Sequence, residues 1–126
     1  MSLVFDAGGL IAIERGVRFV TALVEQERVD HRRPVTHGGV VGQVWRTGSG
    51  RQAPLARFLR GFDIRPIDGE LGRRVGALLA LTGTDDVIDA AIVLLARDGD
   101  VILTSDRTDL AVLTAAAGLH VELVPV

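Results

Sequence analysis

Two pairs of aspartates frame the stretch TGTDDVIDAAIVLLARDGDVILTSDRTDL, Thr82 to Leu110: Asp86 and Asp89 precede an apolar run, and Asp106 and Asp109 follow a short strand-like one. Each pair has the spacing of a helix N-cap and the third helical position, so capping accounts for either pair at about 1 kcal/mol each. The same carboxylates suit a second chemistry, a metal site, because oxygen donors gathered in one place attract a hard divalent cation. A further acid, Asp6 in LVFDAGGLIA, lies between an apolar strand and an apolar helix. A carboxylate there is costly unless something pairs with it. Carboxylates forced together repel, and a cation makes such a cluster favourable.

Composition narrows the choice. The chain has 126 residues, enough for one domain with a real core. Cysteine is absent, which removes disulfides, thiol nucleophiles and thiolate metal sites. All 14 basic residues are arginine, which excludes a phosphate-binding loop ending in Gly-Lys-Ser/Thr and lysine Schiff-base chemistry. Charge is unevenly spread: Arg28 to Arg74 holds 10 arginines against 4 acids, and Asp85 to the end holds 2 arginines against 8 acids. A basic rim beside an acidic centre could hold phosphates on arginine and a cation on carboxylate; solvated arginines on exposed helices are the plainer reading. The longest apolar run, Ala90 to Ala96, is far short of the roughly 20 residues of a membrane span. MSLVF runs straight into Asp6 without a secretion signal, so the expectation is a cytoplasmic protein that does not enter a membrane.

The elements that must position these acids alternate. Strand-like runs fall at Leu3 to Phe5, Pro34 to His37, Asp63 to Ile67, Val101 to Ser105 and from His120 onward. Helical patterns cover Leu10 to Arg28 with a break near Gly16, Val40 to Arg46, Pro54 to Leu59, Glu70 to Leu81, Val87 to Arg97 and Leu110 to Ala117. The alternation predicts an α/β fold, one parallel sheet of about five strands flanked by helices over residues 1–126. The segment TGSGRQ, Thr47 to Gln52, reads as a loop. In such sheets ligands bind beyond the carboxyl ends of the strands, where Asp6 and Asp106 stand. If their strands are neighbours, the two carboxylates share one crevice, and the first turn of the helix from Val87 points Asp86 and Asp89 into it.

These segments resemble a known family. LVFDAGGLIAIERG is similar to the opening of a PIN domain, VIDAAIVLLARDGDVILTSDRTDL to its closing acidic motifs, and VVGQVWR stands where a further acid is expected. The resemblance implies a small α/β ribonuclease dependent on Mg2+ or Mn2+, and among single-domain bacterial members a VapC-like toxin held by an antitoxin. It assigns catalysis and metal binding to Asp6, Asp89 and Asp106, and accessory places to Asp86, Ser105 and Asp109. The departure is Gln43, where the family pattern has glutamate; an amide is a weaker cation ligand. Arg46 and Arg51 are placed to hold the RNA backbone. The resemblance also implies a homodimer, with apolar surface around Trp45 or around Leu55 and Leu59 as the contact.

Two rival readings accompany this one. A PIN-like module that binds RNA or protein without catalysis would explain Gln43. A haloacid-dehalogenase-type phosphatase also carries an aspartate after its first strand, but it needs another two residues on, where Gly8 stands. The histidines are less informative: His37 ends a strand near the crevice, as a structural residue or a substrate contact, and His31 and His120 lack zinc-ligand spacing.

Overall fold

The computed structural model describes residues 1–48 and 50–126; Ser49, inside the segment read as a loop, lies outside the described residues. Five strands, β1 (Leu3–Phe5), β2 (Val35–His37), β3 (Asp63–Arg65), β4 (Val101–Thr104) and β5 (Glu122–Pro125), form one sheet in the order β3-β2-β1-β4-β5. Every neighbouring pair is parallel, with Phe5 opposite Leu103 across β1 and β4. Seven α-helices flank it among the described residues: α1 (Ala7–Glu14), α2 (Arg18–Val29), α3 (Gly38–Val44), α4 (Ala53–Leu59), α5 (Gly69–Thr82), α6 (Val87–Leu95) and α7 (Arg107–Ala116). The α/β expectation therefore holds, and none of these helices is long and apolar enough to cross a membrane.

The strand order places a topological switch at the centre. From β1 the chain winds outward through β2 and β3, then returns to the other side of β1 for β4 and β5. The carboxyl ends of β1 and β4 are thus adjacent, and the helices leaving them, α1 and α7, begin on the same edge of the sheet. Helix α6 joins them because its core positions, Ala90 to Val93, are fully buried and carry no polar group that would need water. Phe5, wholly buried, packs edge-on against Phe62 with ring centroids 5.1 Å apart.

The predicted break near Gly16 is real: that residue adopts φ 69° and turns the chain from α1 into α2, where a side chain would be strained. The N-cap of α6 is Asp86, and Asp68 caps α5 by accepting from the Leu71 N–H. The segment read as a loop includes a short 3-10 turn, Gly50–Gln52. There Gln52 is buried, accepting from the Arg46 N–H at 2.7 Å and donating to the Val44 carbonyl at 2.8 Å and to Glu14 at 3.1 Å. The proposed dimer surface around Leu55 and Leu59 is corrected: these side chains are 0% and 9% exposed, turned inward where α4 packs on α1. Trp45, at 39%, is exposed.

Close backbone approach at the β1–α1 junction explains two glycines. A Cβ on Gly8 would sit 2.4 Å from the Ser105 side chain and 2.7 Å from its backbone nitrogen, and one on Gly9 would meet Phe5 at 2.8 Å. Gly42, by contrast, has open space around it inside α3. Gly8→Ala should therefore cost about 2 kcal/mol or more through forced displacement of β4, whereas Gly42→Ala should gain roughly 0.5–1 kcal/mol by helix propensity. Urea denaturation of both variants checks the contrast; equal stability of the two would contradict the packing described.

Candidate metal centre

Asp6 is the first residue after β1 and is 5% exposed. One of its carboxylate oxygens accepts from the Gly9 N–H at 3.0 Å, capping α1, and the other accepts from the Thr104 hydroxyl at 2.5 Å. Thr104, fully buried at the end of β4, in turn accepts from the Asp106 N–H at 2.8 Å. Burial pushes the Asp6 carboxyl up from its ordinary value, and the donors from Thr104, Gly9, Gly8 and Ser105 pull it back down. A relay of hydrogen bonds thus ties the ends of β1 and β4 together through side chains.

Asp86 and Asp106 are both helix caps, as their spacing predicts. Asp86 accepts from the Asp89 N–H at 2.9 Å, and Asp106 accepts from the Asp109 N–H at 3.4 Å. Capping and clustering are not alternatives here. Asp89, half-buried in the first turn of α6, is pushed up to about 6 by burial first and then by the charges of Asp86, Asp6, Asp106 and Asp109. Every acid singled out in the sequence therefore lies close enough to act on Asp89. Exposed Asp109 is also raised, chiefly by its hydrogen bond with Asp106 and by that residue's charge.

Ligand atoms of Asp89, Asp106 and Asp109 all lie within 4.8 Å of one another. Oxygen ligands on opposite sides of a magnesium ion stand about 4.2 Å apart, so these donors match a hard cation in chemistry and would draw slightly closer around one as small as magnesium. The membership differs from the expected Asp6, Asp89 and Asp106. Asp109 takes a place in the compact triad, while Asp6 stands beside it with an oxygen engaged by Thr104 and another by Gly9.

The remaining candidates separate by geometry. Ser105 is exposed, and it meets Asp6 through its backbone N–H rather than its hydroxyl. Thr104, which the sequence reading passed over, supplies the hydroxyl; a threonine one residue earlier on a buried strand was the available signal. Gln43 is exposed on α3 between buried Val40 and Val44. It shares a face with Gly39, four residues back, whose missing Cβ leaves room for Ile88 of α6. Its side chain makes no hydrogen bond with the acids among the described residues. The Arg46 guanidinium is turned onto the carbonyls of Gly42 and Trp45, and exposed Arg51 lies in the 3-10 turn.

His37 is structural and fully buried. Its Nδ1 accepts from the N–H groups of Gly39 and Val40 at 3.1 and 3.3 Å, which leaves Nε2 to donate to the Ile88 carbonyl at 3.0 Å. Burial holds its pKa below the ordinary value, so it stays neutral and pins the first turn of α6 to the end of β2. A phosphatase-type second aspartate in place of Gly8 has no room beside Ser105. Comparison of the chain with protein-family models, curated proteins and solved structures gave no match.

Crowded negative charge makes a stability prediction with a definite sign. Because the folded value for Asp89 lies near 6 and the ordinary value is 3.8, the native state holds more protons than the unfolded state between these limits. Its contribution to stability therefore falls as pH rises through that window, and it is adverse at pH 7. Asp89→Asn should melt above wild type at pH 7 in EDTA, and the difference should shrink toward pH 4. Manganese should raise the wild-type melting temperature and leave the variant's nearly unchanged; an equal rise in both would remove Asp89 from the metal centre.

Proposed function

We propose that this chain is a divalent-metal-dependent endoribonuclease of the PIN type, acting as a VapC-like toxin restrained by an antitoxin. The observation that carries the reading is the triad of Asp89, Asp106 and Asp109, grouped within 4.8 Å beside the buried Asp6. Asp89, Asp106 and Asp109 would hold Mg2+ or Mn2+, with Asp6 and Asp86 completing the negative field. The bound cation supplies charge neutralisation at a phosphate and acidification of a water. Asp6 is fixed by Thr104 and Gly9, so it keeps its place when the charges around it change. Asp89, raised to about 6 by burial and its acidic neighbours, would be held ionised once it ligates the cation. RNA is favoured as the substrate class by the basic stretch from Arg28 to Arg74, with exposed Arg46 just after α3 and exposed Arg51 in the 3-10 turn.

The antitoxin rests on the family resemblance, and the neighbouring reading frame is its direct test: a small DNA-binding protein with an extended tail supports it. A homodimer would use the exposed Trp45 rather than Leu55 and Leu59. Light scattering that finds a monomer at every concentration removes that part of the proposal.

One observation favours a second reading, a non-catalytic PIN-like module for RNA or protein. Gln43 brings no charge to the site, and each Asp6 oxygen is already engaged by a protein donor. Manganese titration by calorimetry separates the two, since no binding at millimolar metal supports the module.

The enzyme reading predicts RNA cleavage that EDTA abolishes. Asp89→Asn should abolish cleavage, because it removes a direct ligand of the cation while leaving the fold intact. Gln43→Glu, almost equal in volume, should tighten manganese binding and leave cleavage equal or faster. Thr104→Val should lose about 2 kcal/mol of stability with the charged hydrogen bond to Asp6. Metal-independent cleavage, or an Asp89→Asn variant as active as wild type, would reject the proposed site.

A further inference from the structure

A cleft of about 510 Å3 opens between the end of α2 and α4, within the size range of small-molecule sites. Pro34, in its wall, immediately precedes β2, whereas Asp6 and Asp106 follow β1 and β4. Since all strands are parallel, the cleft lies at the amino end of the sheet and the acids at the carboxyl end.

Four arginines line it: Arg28, Arg32, Arg33 and Arg57. Arg28 is paired with Glu25 at 2.9 Å, and Arg32 with Glu27 at 2.9 Å and Asp30 at 3.1 Å. Glu25 also lines the cleft; Arg33 and Arg57 have no acidic partner among the described residues, and the four arginines against Glu25, Glu27 and Asp30 leave one net positive charge there. The guanidinium of Arg57 lies 5.3 Å from the centre of the Phe58 ring, which makes a planar cationic and aromatic wall. Forked guanidinium groups match phosphate oxygens, and such a wall stacks a nucleobase.

The turn that builds the rim is strained. His31 is the one non-glycine with positive φ among the described residues, at 56°. Its N–H donates to the Arg28 carbonyl at 3.1 Å, and the Arg32 N–H donates to the Glu27 carbonyl at 2.8 Å. This is the helix ending in which glycine is the usual residue at the left-handed position. Histidine is held there instead, in the lining of the cleft.

We propose that this cleft is a binding site for a nucleoside phosphate, with the phosphate held by Arg33 and Arg57 and the base stacked on the Arg57–Phe58 wall. The site is independent of the carboxylate centre. Titration calorimetry of the full chain with ADP in EDTA tests it, alongside adenosine, inorganic phosphate and a glutamate-rich peptide. ADP should bind with a micromolar dissociation constant, and adenosine and phosphate at least about tenfold more weakly. Arg33→Ala and Arg57→Ala, both at exposed positions, should each weaken ADP about tenfold, and Asp89→Asn should not change it. His31→Gly should raise the melting temperature while weakening ADP binding. The proposal is overturned if ADP does not bind, if phosphate or the peptide binds as tightly, or if the two arginine variants bind ADP like wild type.

Discussion

The structure turns on how a buried carboxylate is satisfied where β1 ends. Asp6 has almost no contact with water, so its charge depends on donors fixed by the fold. The Thr104 hydroxyl comes from the adjacent strand and the Gly9 N–H from the following helix. The first requires β1 and β4 to be neighbours in their observed register, and the second requires α1 to start directly after Asp6. The glycines at 8 and 9 allow α1 to start there, because any side chain on them would meet Ser105 or Phe5. Strand order, helix placement and the acid's ionisation are therefore one arrangement.

Around that point, the caps explain the cluster. In a parallel sheet a helix that follows a strand begins at the strand's carboxyl end, so the N-caps of α1 and α7 gather on one edge. Aspartate is a favoured cap and suits the positive end of a helix, so the stabilising choice at each terminus also concentrates negative charge. Asp89, in the first turn of α6, accepts no hydrogen bond among the described residues and is raised by burial and by the charges of its neighbours. A cation relieves this repulsion without disturbing the caps, because each capping carboxylate retains lone pairs after accepting its backbone N–H.

His37 links the neighbouring parts. With Nδ1 capping α3 and Nε2–H bound to Ile88, it holds the starts of α3 and α6 together. Gly39 makes this possible by leaving space for the Ile88 side chain. The position of Asp89, the residue after Ile88, is set by this buried ring as well as by its own helix. The neutral state of His37 is a packing requirement, which accounts for a histidine so near an acidic centre that bears no charge itself.

By itself the sequence determined the alternation of strands and helices, the break at Gly16, and the four capping or cluster aspartates of the closing block, because these follow from local periodicity and from side chains that bond their own backbone a few residues away. It also marked Asp6 as a buried acid needing a partner. The identity of that partner was not legible: Thr104 is 98 residues distant, and only the pairing of β1 with β4 makes it adjacent. The same holds for Gln52, for the inward turn of Leu55 and Leu59, and for the gathering of Asp109 rather than Asp6 with Asp89 and Asp106. Each depends on which elements pack together, and a side chain's own neighbourhood along the chain carries no record of contacts made across the sheet.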